Sequence, residues 1–437
     1  MTFLTDPQPR DSSVTAIWRL YRKHITDGKP IPAPEPLRVK ILAAGTHTVR
    51  YLEEKIWYLA TCVNSLNSLW GIPQRGTNIQ APIQMSTLTE QWVSSLDGYE
   101  TLKTINVPTP VPGQGEVLVE IHAVSLNYRD IEVISGEYTH HKTVKNSEPI
   151  VPCSDMCGFV IAVGEGTTEW KVGDRVLSTF LPKHQTGRAT LENLMAGMGL
   201  PLPGVLATHR VFPAYALVKA PDYLTDEEAC TLPIAAVTAW MSINGMRPMG
   251  QPGGKDEYVL LLGTGGVAIA GLQIAKASGA KVIITSSSDS KLQMAKELGA
   301  DCTINYRTQP SWDEQVMKLT NNHGADIILE TGGSQTLRKS FDSIAFGGLI
   351  NCIGYTSGKI DTDDDRLNVN ILTLRRNVML MGIITGPKDR FQEMLKFYEK
   401  HEIHPYVNRV FRFDDAKQAF EYLQSGGHFG KVVIKVR

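Results

Sequence analysis

Residues 260–271 read LLLGTGGVAIAG, and this stretch decides the fold. It contains Gly263-x-Gly265-x-x-Ala268, directly after the apolar run Tyr258–Leu262 and at the opening of a helical pattern. A glycine fingerprint in that context holds a dinucleotide. Gly263 permits the sharp turn off the strand, and Gly265 lets the backbone approach a pyrophosphate with no Cβ in the way. Gly266 and Val267 open the helix, whose free N–H groups and positive dipole end face the phosphates, and Ala268 keeps that helix close to the sheet.

Working outward toward the C-terminus, apolar strands alternate with amphipathic helices. The strands expected are Tyr258–Leu262, Lys281–Thr285, Cys302–Asn305, Ile327–Glu330, Leu349–Ile353 and Val378–Ile383. The helices expected are Val267–Ala277, Lys291–Leu298, Trp312–Thr320 and Leu337–Ile344. This alternation predicts an α/β Rossmann domain, a doubly wound parallel sheet with helices on both faces, over 223–384. It is entered through a capping box at Thr225–Glu228 and one helix running from Ala229 to about Ile243. The stretch 385–437 carries helix, strand, helix and strand, and is expected to pack back onto the first domain.

Upstream, 85–222 is β-rich: Val117–Ala123 alternates apolar and polar or small positions, and short strands separated by Gly and Pro predict a barrel-like domain. Residues 1–84 show no such alternation. With prolines at 30, 32, 34 and 36, they are expected to form a poorly ordered extension.

A net charge of −1 gives no reason to expect nucleic acid or an anionic membrane as partner. The uncharged run Ile56–Gly71 is short for a bilayer span and is broken by Asn64, Ser65, Asn67 and Ser68. Six cysteines without a C-x-x-C pair read as reduced thiols, and the polar N-terminus lacks a secretory signal, so a cytoplasmic protein is expected.

The second Rossmann strand ends in Thr285-Ser-Ser-Ser288-Asp289-Ser290-Lys291 rather than at an acid that would bond a ribose 2′-OH. Ser286 and Ser287 can donate to a phosphate and Lys291 supplies charge, which favours NADPH over NADH. Ser288 and Asp289 also read as helix caps, and Tyr306 and Arg307 could border the adenosine phosphate or be plain loop surface. Gly354 and Tyr355, at the carboxyl end of the fifth strand, are expected near the nicotinamide.

Taken together, VLVEIHAVSLNYRD (117–130), SGEY (135–138), GFVIAVGEGTTEWKVGDRV (158–176), LPIAAVTAW (232–240), the glycine loop and GHFGKVVI (427–434) resemble the medium-chain dehydrogenase/reductase superfamily. The resemblance covers about 86–437. It implies a GroES-like β-barrel catalytic domain interrupted by the Rossmann domain, with the active site in the cleft. The chain departs from the zinc pattern of that superfamily. Asn127, the run Cys153-Ser154-Asp155 and Ile234 stand at the three catalytic-zinc positions, and the four-cysteine lobe is absent. Zinc needs N or S ligands, and these replacements cannot form a normal site, so no bound metal is expected, and Cys153 and Cys157 read as buried thiols.

The nearest branch by resemblance is the quinone oxidoreductase and enoyl reductase group. It implies NADPH-dependent hydride transfer to a small-molecule carbonyl, enone, enoyl or quinone substrate. A zinc-free alcohol or aldehyde oxidoreductase and a non-catalytic NADPH-binding protein remain alternatives. The resemblance implies catalytic roles for Asn127, Tyr138 and Thr238. Lys431 is expected to face the cofactor phosphates or to be a surface lysine at a strand end. Tyr128 is expected to pack, and Arg129 and Asp130 to form an ion pair. His140 and His141 read as proton-transfer residues or as a polar loop. His184 and His209 flank a loop, 182–213, expected to edge the substrate site. The apolar run Val378–Gly382 is the basis for expecting a homodimer.

Overall fold

Two sheets carry the fold, and opposite hydrophobic patterns build them. The structure is a computed structural model that describes residues 88–138, 149–360 and 367–437. Expectations for 1–84, including Ile56–Gly71, and for His140 and His141 fall outside the described residues.

The first sheet follows alternating segments. A two-stranded ribbon, β1 (Leu88–Val93) with β2 (Lys103–Pro108), precedes β3 (Glu116–Leu126), the spine of the catalytic domain. Strand β3 pairs antiparallel with β4 (Asp155–Val163) and β6 (His209–Pro213), while β5 (Arg175–Ser178) joins β4 to β7 (Leu217–Lys219). Its core includes Val117, Val119, Ile121, Val160, Val176 and Phe212, all fully shielded.

The second sheet follows continuous apolar runs. Its strands are β8 (Tyr258–Leu261), β9 (Lys281–Ser286), β10 (Cys302–Asn305), β11 (Ala325–Glu330), β12 (Ile344–Cys352) and β13 (Met379–Gly382). They lie in the order β10-β9-β8-β11-β12-β13 with every pair parallel. Val259, Leu260 and Leu261 are all buried, as expected when helices cover both faces of a parallel sheet.

The chain then returns. Strand β14 (Val407–Arg412) pairs with β15 (Lys431–Lys435), and β15 runs antiparallel to β3 with Val432 opposite Leu126. The crossing comes later than residue 385. Helix Lys388–His401 still packs on helix Val237–Asn244, where Trp240 and Phe397 ring centroids lie 5.1 Å apart. The register Val432–Leu126 sets the residue after β3, Asn127, beside the first residue of β15, Lys431.

Two local expectations are corrected. The helix expected through Ala229–Ile243 is interrupted. Helix Asp226–Ala229 stops, and Leu232–Ala236 forms a wider turn before Val237–Asn244 resumes. Pro233 has no N–H to continue the ladder. The capping box that starts it is present, with Glu228 N donating to Thr225 Oγ1 (3.2 Å) and Thr225 N to Glu228 Oε2 (2.9 Å). Strand β3 ends at Leu126, so the segment 117–130 is not one element, and Tyr128–Ile134 is a helix. Asn127 and Asp130 form its capping box, so Tyr128 sits on a first helical turn and is 52% exposed rather than packed. Among the described residues no helix is long and apolar enough to cross a membrane.

Candidate active site

Three glycines of the loop after β8 do three different jobs. Gly263 has φ +82°, a conformation that side chains disfavour, and its N–H donates to Thr285 Oγ1 (3.2 Å). Gly265 has φ −79°, which any residue adopts, and a Cβ built there meets nothing within 4 Å. The protein itself therefore does not require glycine at 265. The free space lies at the N-terminus of helix Gly266–Ala277, where backbone N–H groups suit a diphosphate. At Gly266 a Cβ would lie 2.5 Å from Lys431 Cδ, so that glycine is needed for packing. Ala268 is 2% exposed, and Val267 packs partly buried against the same core. The loop is docked onto the closing segment, with Gly430 N donating to Thr264 O (3.0 Å). These residues fit a dinucleotide: Gly263, Gly265 and Gly266 would cradle its diphosphate.

At the end of β9, Ser286 is buried and its Oγ accepts from Ser288 N (3.3 Å). Ser288 caps the next helix, accepting from Lys291 N. Asp289 is held by Asn305 Nδ2 (2.7 Å). Lys291 Nζ donates to Gly426 O (2.7 Å), and burial lowers its pKa. Tyr306 is exposed, and its N–H donates to Ser286 O (3.1 Å). His428, which the sequence did not single out, has a buried Nδ1 without a hydrogen-bond partner. Burial, then the charges of Lys291 and Lys431, push its imidazole down to about 4.

The centre of the cleft is a buried polar cluster at the junction of β3 and β15. Lys431 is neither on the surface nor paired with an acid across solvent. Its Nζ donates to Leu126 O and to Asn127 Oδ1, both at 2.6 Å. Asn127 Nδ2 donates to Asp155 Oδ2 (3.0 Å), which also accepts from Ile234 N (3.1 Å). Ser154 Oγ donates to the other oxygen, Oδ1 (2.7 Å). Asn127 N donates to Asp130 Oδ2 (2.8 Å), and Arg129 Nη1 lies 3.3 Å from Asp130 Oδ1, the expected ion pair. Burial raises Asp130 to about 6 against the pull of Arg129, and raises Asp155 against the opposing charge of Lys431. Burial also lowers Lys431, opposed by Asp155 and Asp130.

The positions that the resemblance assigns to catalytic zinc, Asn127, the run Cys153-Ser154-Asp155 and Ile234, thus converge, but their chemistry does not fit the metal. Asn127 spends its oxygen on an ammonium, Ile234 offers only an alkyl side chain, and Asp155 alone is an anionic donor. Structural zinc takes four N, S or carboxylate donors, and catalytic zinc three and a water. Cys153 is buried, with its thiol raised first by burial and then by Asp130 and Asp155. Among the described residues no group of three His, Cys, Asp or Glu side chains is placed to hold a metal.

The remaining expected residues are held by other partners. Thr238 is buried and its Oγ1 donates to Ile384 O (3.4 Å). Tyr138 packs with Val133, Ile150 and Leu200, with the Arg129 guanidinium 4.8 Å from its ring centroid. Gly354 N donates to Glu330 O (3.3 Å), placing it at the mouth of β11 and β12. Next to it, Tyr355 Oη donates to Glu132 Oε2 (2.5 Å), and Lys359 Nζ donates to Glu132 Oε1 (2.7 Å). Glu132, 5% exposed, therefore ties the catalytic-domain helix to the Rossmann loop across the cleft. Sequence reading passed over it, although an acid between Ile131 and Val133 on a short helix was a usable signal. His184 O and Gln185 O accept from Lys388 N (2.9 Å) and Asp389 N (3.1 Å), so the loop after β5 caps helix Lys388–His401. His209, on β6, faces Glu120, and burial lowers its pKa.

The chain matches the alcohol dehydrogenase GroES-like domain over residues 113–222 and the zinc-binding dehydrogenase family over 266–400. It is 39% identical to a zinc-type alcohol dehydrogenase-like protein of Schizosaccharomyces pombe, over 78% of this chain and 97% of that one. The crystal structure of an NAD-dependent alcohol dehydrogenase superposes with a TM-score of 0.69 at 30% identity, covering 80% of this chain and 100% of its own. A mycobacterial protein complexed with NADPH superposes with a TM-score of 0.64 at 26% identity and the same coverage, 80% and 100%. Two family domains in the expected order, around a dinucleotide loop that abuts a cleft, place this chain in the medium-chain dehydrogenase/reductase superfamily, as an NAD(P)-dependent oxidoreductase acting on small molecules.

Proposed function

We propose that the protein is an NADPH-dependent reductase of enone, enoyl or quinone substrates that works without a metal. The observation that carries this is the Asn127 amide, fixed between Lys431 and Asp155, where the family resemblance expects a zinc ligand. When bound, the reduced nicotinamide supplies the hydride. The chain's own task is to hold the cofactor and to stabilise negative charge on the substrate oxygen. Asn127 does the latter through its second Nδ2–H, and Tyr138 polarises the same oxygen through its phenol. Thr238, Gly354 and Tyr355 wall the nicotinamide. Lys291, with Ser287 and Tyr306, takes the adenosine phosphate; Ser286 contributes by shaping that turn.

The test is loss of reduced-nicotinamide absorbance with NADPH and with NADH across quinones, enones, aldehydes and alcohols, with product analysis and metal determination on the same protein. Saturation of a C=C bond, or reduction of a quinone to its hydroquinone, by zinc-free protein supports the reading. An alcohol product, stoichiometric zinc or NADPH bound without turnover refutes it. Tyr138→Phe at full rate on the best substrate removes Tyr138 from the scheme.

We also propose a homodimer through the free edge of the six-stranded sheet. Strand β13 exposes Met379 and Leu380 beside Leu374 (76% exposed) and Phe346 (77%), an apolar margin that monomers usually cover. Sedimentation of a single monomeric species would refute it. The compartment proposed is the cytoplasm, where the thiols Cys153, Cys157 and Cys230 stay reduced.

A further inference from the structure

Lys431 is a costly residue for its place. Lysine is rarely buried unless paired, and an apolar residue in a core is usually at least as stabilising. The residues that follow it, Val432, Val433 and Ile434, are apolar and fully buried, while Lys431 is 6% exposed. Its stem lies against the dinucleotide loop, with Cδ occupying the space a Cβ on Gly266 would need. Its head reaches the end of β3. One side chain thus touches both the cofactor loop and Asn127.

The contacts of Asn127 fix the amide's orientation. An ammonium only donates, so the atom facing Lys431 must be the amide oxygen. Asp155 Oδ2, which already accepts from Ile234 N, takes the amide nitrogen. The amide therefore lies between a cation at its oxygen and a carboxylate at one N–H, an arrangement in which each hydrogen bond polarises the next. Among the described residues its second N–H meets no acceptor.

We infer that Lys431 is a positioning residue for the reduction: it locks and polarises the Asn127 amide so that the free N–H is presented to the substrate oxygen. This inference rests on the reading of Asn127 above. It also departs from the sequence expectation, in which Lys431 faces the cofactor phosphates, and the two assignments give opposite results.

The experiment compares Lys431→Met, Lys431→Gln and Asn127→Ala with wild type in NADPH affinity, kcat and KM on the best substrate of the panel. Cooperative thermal melting establishes that each variant is folded. Lys431→Gln, which keeps a donor, serves if Lys431→Met does not fold. The expected result is a kcat lowered roughly 10- to 100-fold, the scale of weakening one donor at a developing oxyanion. NADPH affinity stays within about threefold, and Lys431→Gln lies between Lys431→Met and wild type. A second readout needs no turnover. In protein labelled with 15N-asparagine, the Asn127 side-chain pair, assigned by its loss in Asn127→Asp, shifts and exchanges faster in the Lys431 variants. Weakened NADPH binding with unchanged kcat would make Lys431 a phosphate residue and overturn the inference. An Asn127 signal identical in wild type and variants overturns it as well. If Asn127→Ala itself keeps full rate, the proposed function's reading of Asn127 fails. If only Asn127→Ala is slow, this inference alone fails.

Discussion

Replacing Gly265 and Gly266 by alanine, one at a time, separates ligand approach from protein packing at neighbouring positions. At Gly265 the backbone is ordinary (φ −79°) and an added Cβ has no neighbour within 4 Å. Alanine is a poorer helix N-cap than glycine by about 0.5–1 kcal/mol, but it restricts the unfolded chain by about 0.4–1 kcal/mol, so the two largely offset and stability should move by no more than ~0.5 kcal/mol. The same methyl fills the space in which a diphosphate would approach the helix end. Loss of one hydrogen bond to a charged group costs about 1.5–3 kcal/mol, so NADPH affinity should fall by roughly 10- to 150-fold.

At Gly266 the outcome inverts. A Cβ 2.5 Å from Lys431 Cδ must push that stem about 1 Å to reach ordinary carbon contact. The stem cannot yield freely, because its head is held by two 2.6 Å hydrogen bonds. Overpacking of this kind costs about 1–3 kcal/mol. Denaturant melts and fluorescence titration with NADPH read both quantities. Wild-type NADPH affinity in Gly265→Ala would refute the placement of the diphosphate. Wild-type stability in Gly266→Ala would refute the account of Lys431.

Three further outcomes follow from the same structure. Glu132→Gln should weaken the tie between the catalytic helix and residues 353–360, costing about 1–3 kcal/mol and speeding amide exchange in that loop; unchanged exchange would rule out the tie. His428 has a folded pKa of about 4, below its ordinary unfolded value, so the stability it contributes is full above ~6.5 and is lost as pH falls toward 4. Asp130, raised to about 6, acts in the opposite sense, gaining stability as pH falls, so the difference between wild type and His428→Gln is the quantity to read. That difference should shrink the acid loss by about 1–3 kcal/mol between pH 7 and 4, and parallel curves would contradict the buried neutral imidazole. Thr285→Val removes the hydroxyl that accepts from Gly263 N and should cost about 1 kcal/mol in thermal or urea melts; a neutral result would mean the turn off β8 holds itself.

The Rossmann half was legible because its signals are local. Apolar runs, helical periodicity and the Gly263–Ala268 spacing each depend on residues a few positions apart, and the observed strands follow them within a residue or two at most ends. The capping box at Thr225–Glu228 was legible for the same reason, whereas the one at Asn127–Asp130 was masked by the apolar run of β3 before it. The barrel strands were visible in part, since their alternation is broken by bulges and by pairing between distant segments.

By itself the sequence determined the order of elements and the dinucleotide turn, and through its family resemblance it pointed to Asn127, the run Cys153-Ser154-Asp155 and Ile234 as departures from the zinc pattern. Only the tertiary structure decided what those replacements do. Lys431 and Asn127 are 304 positions apart in the chain, and Glu132 and Tyr355 are 223 apart. Their partnership depends on the register of β15 against β3 and on the loop after β12. Contacts of that range come from strand pairing within the first sheet and from docking the two domains, and no local pattern along the chain encodes them.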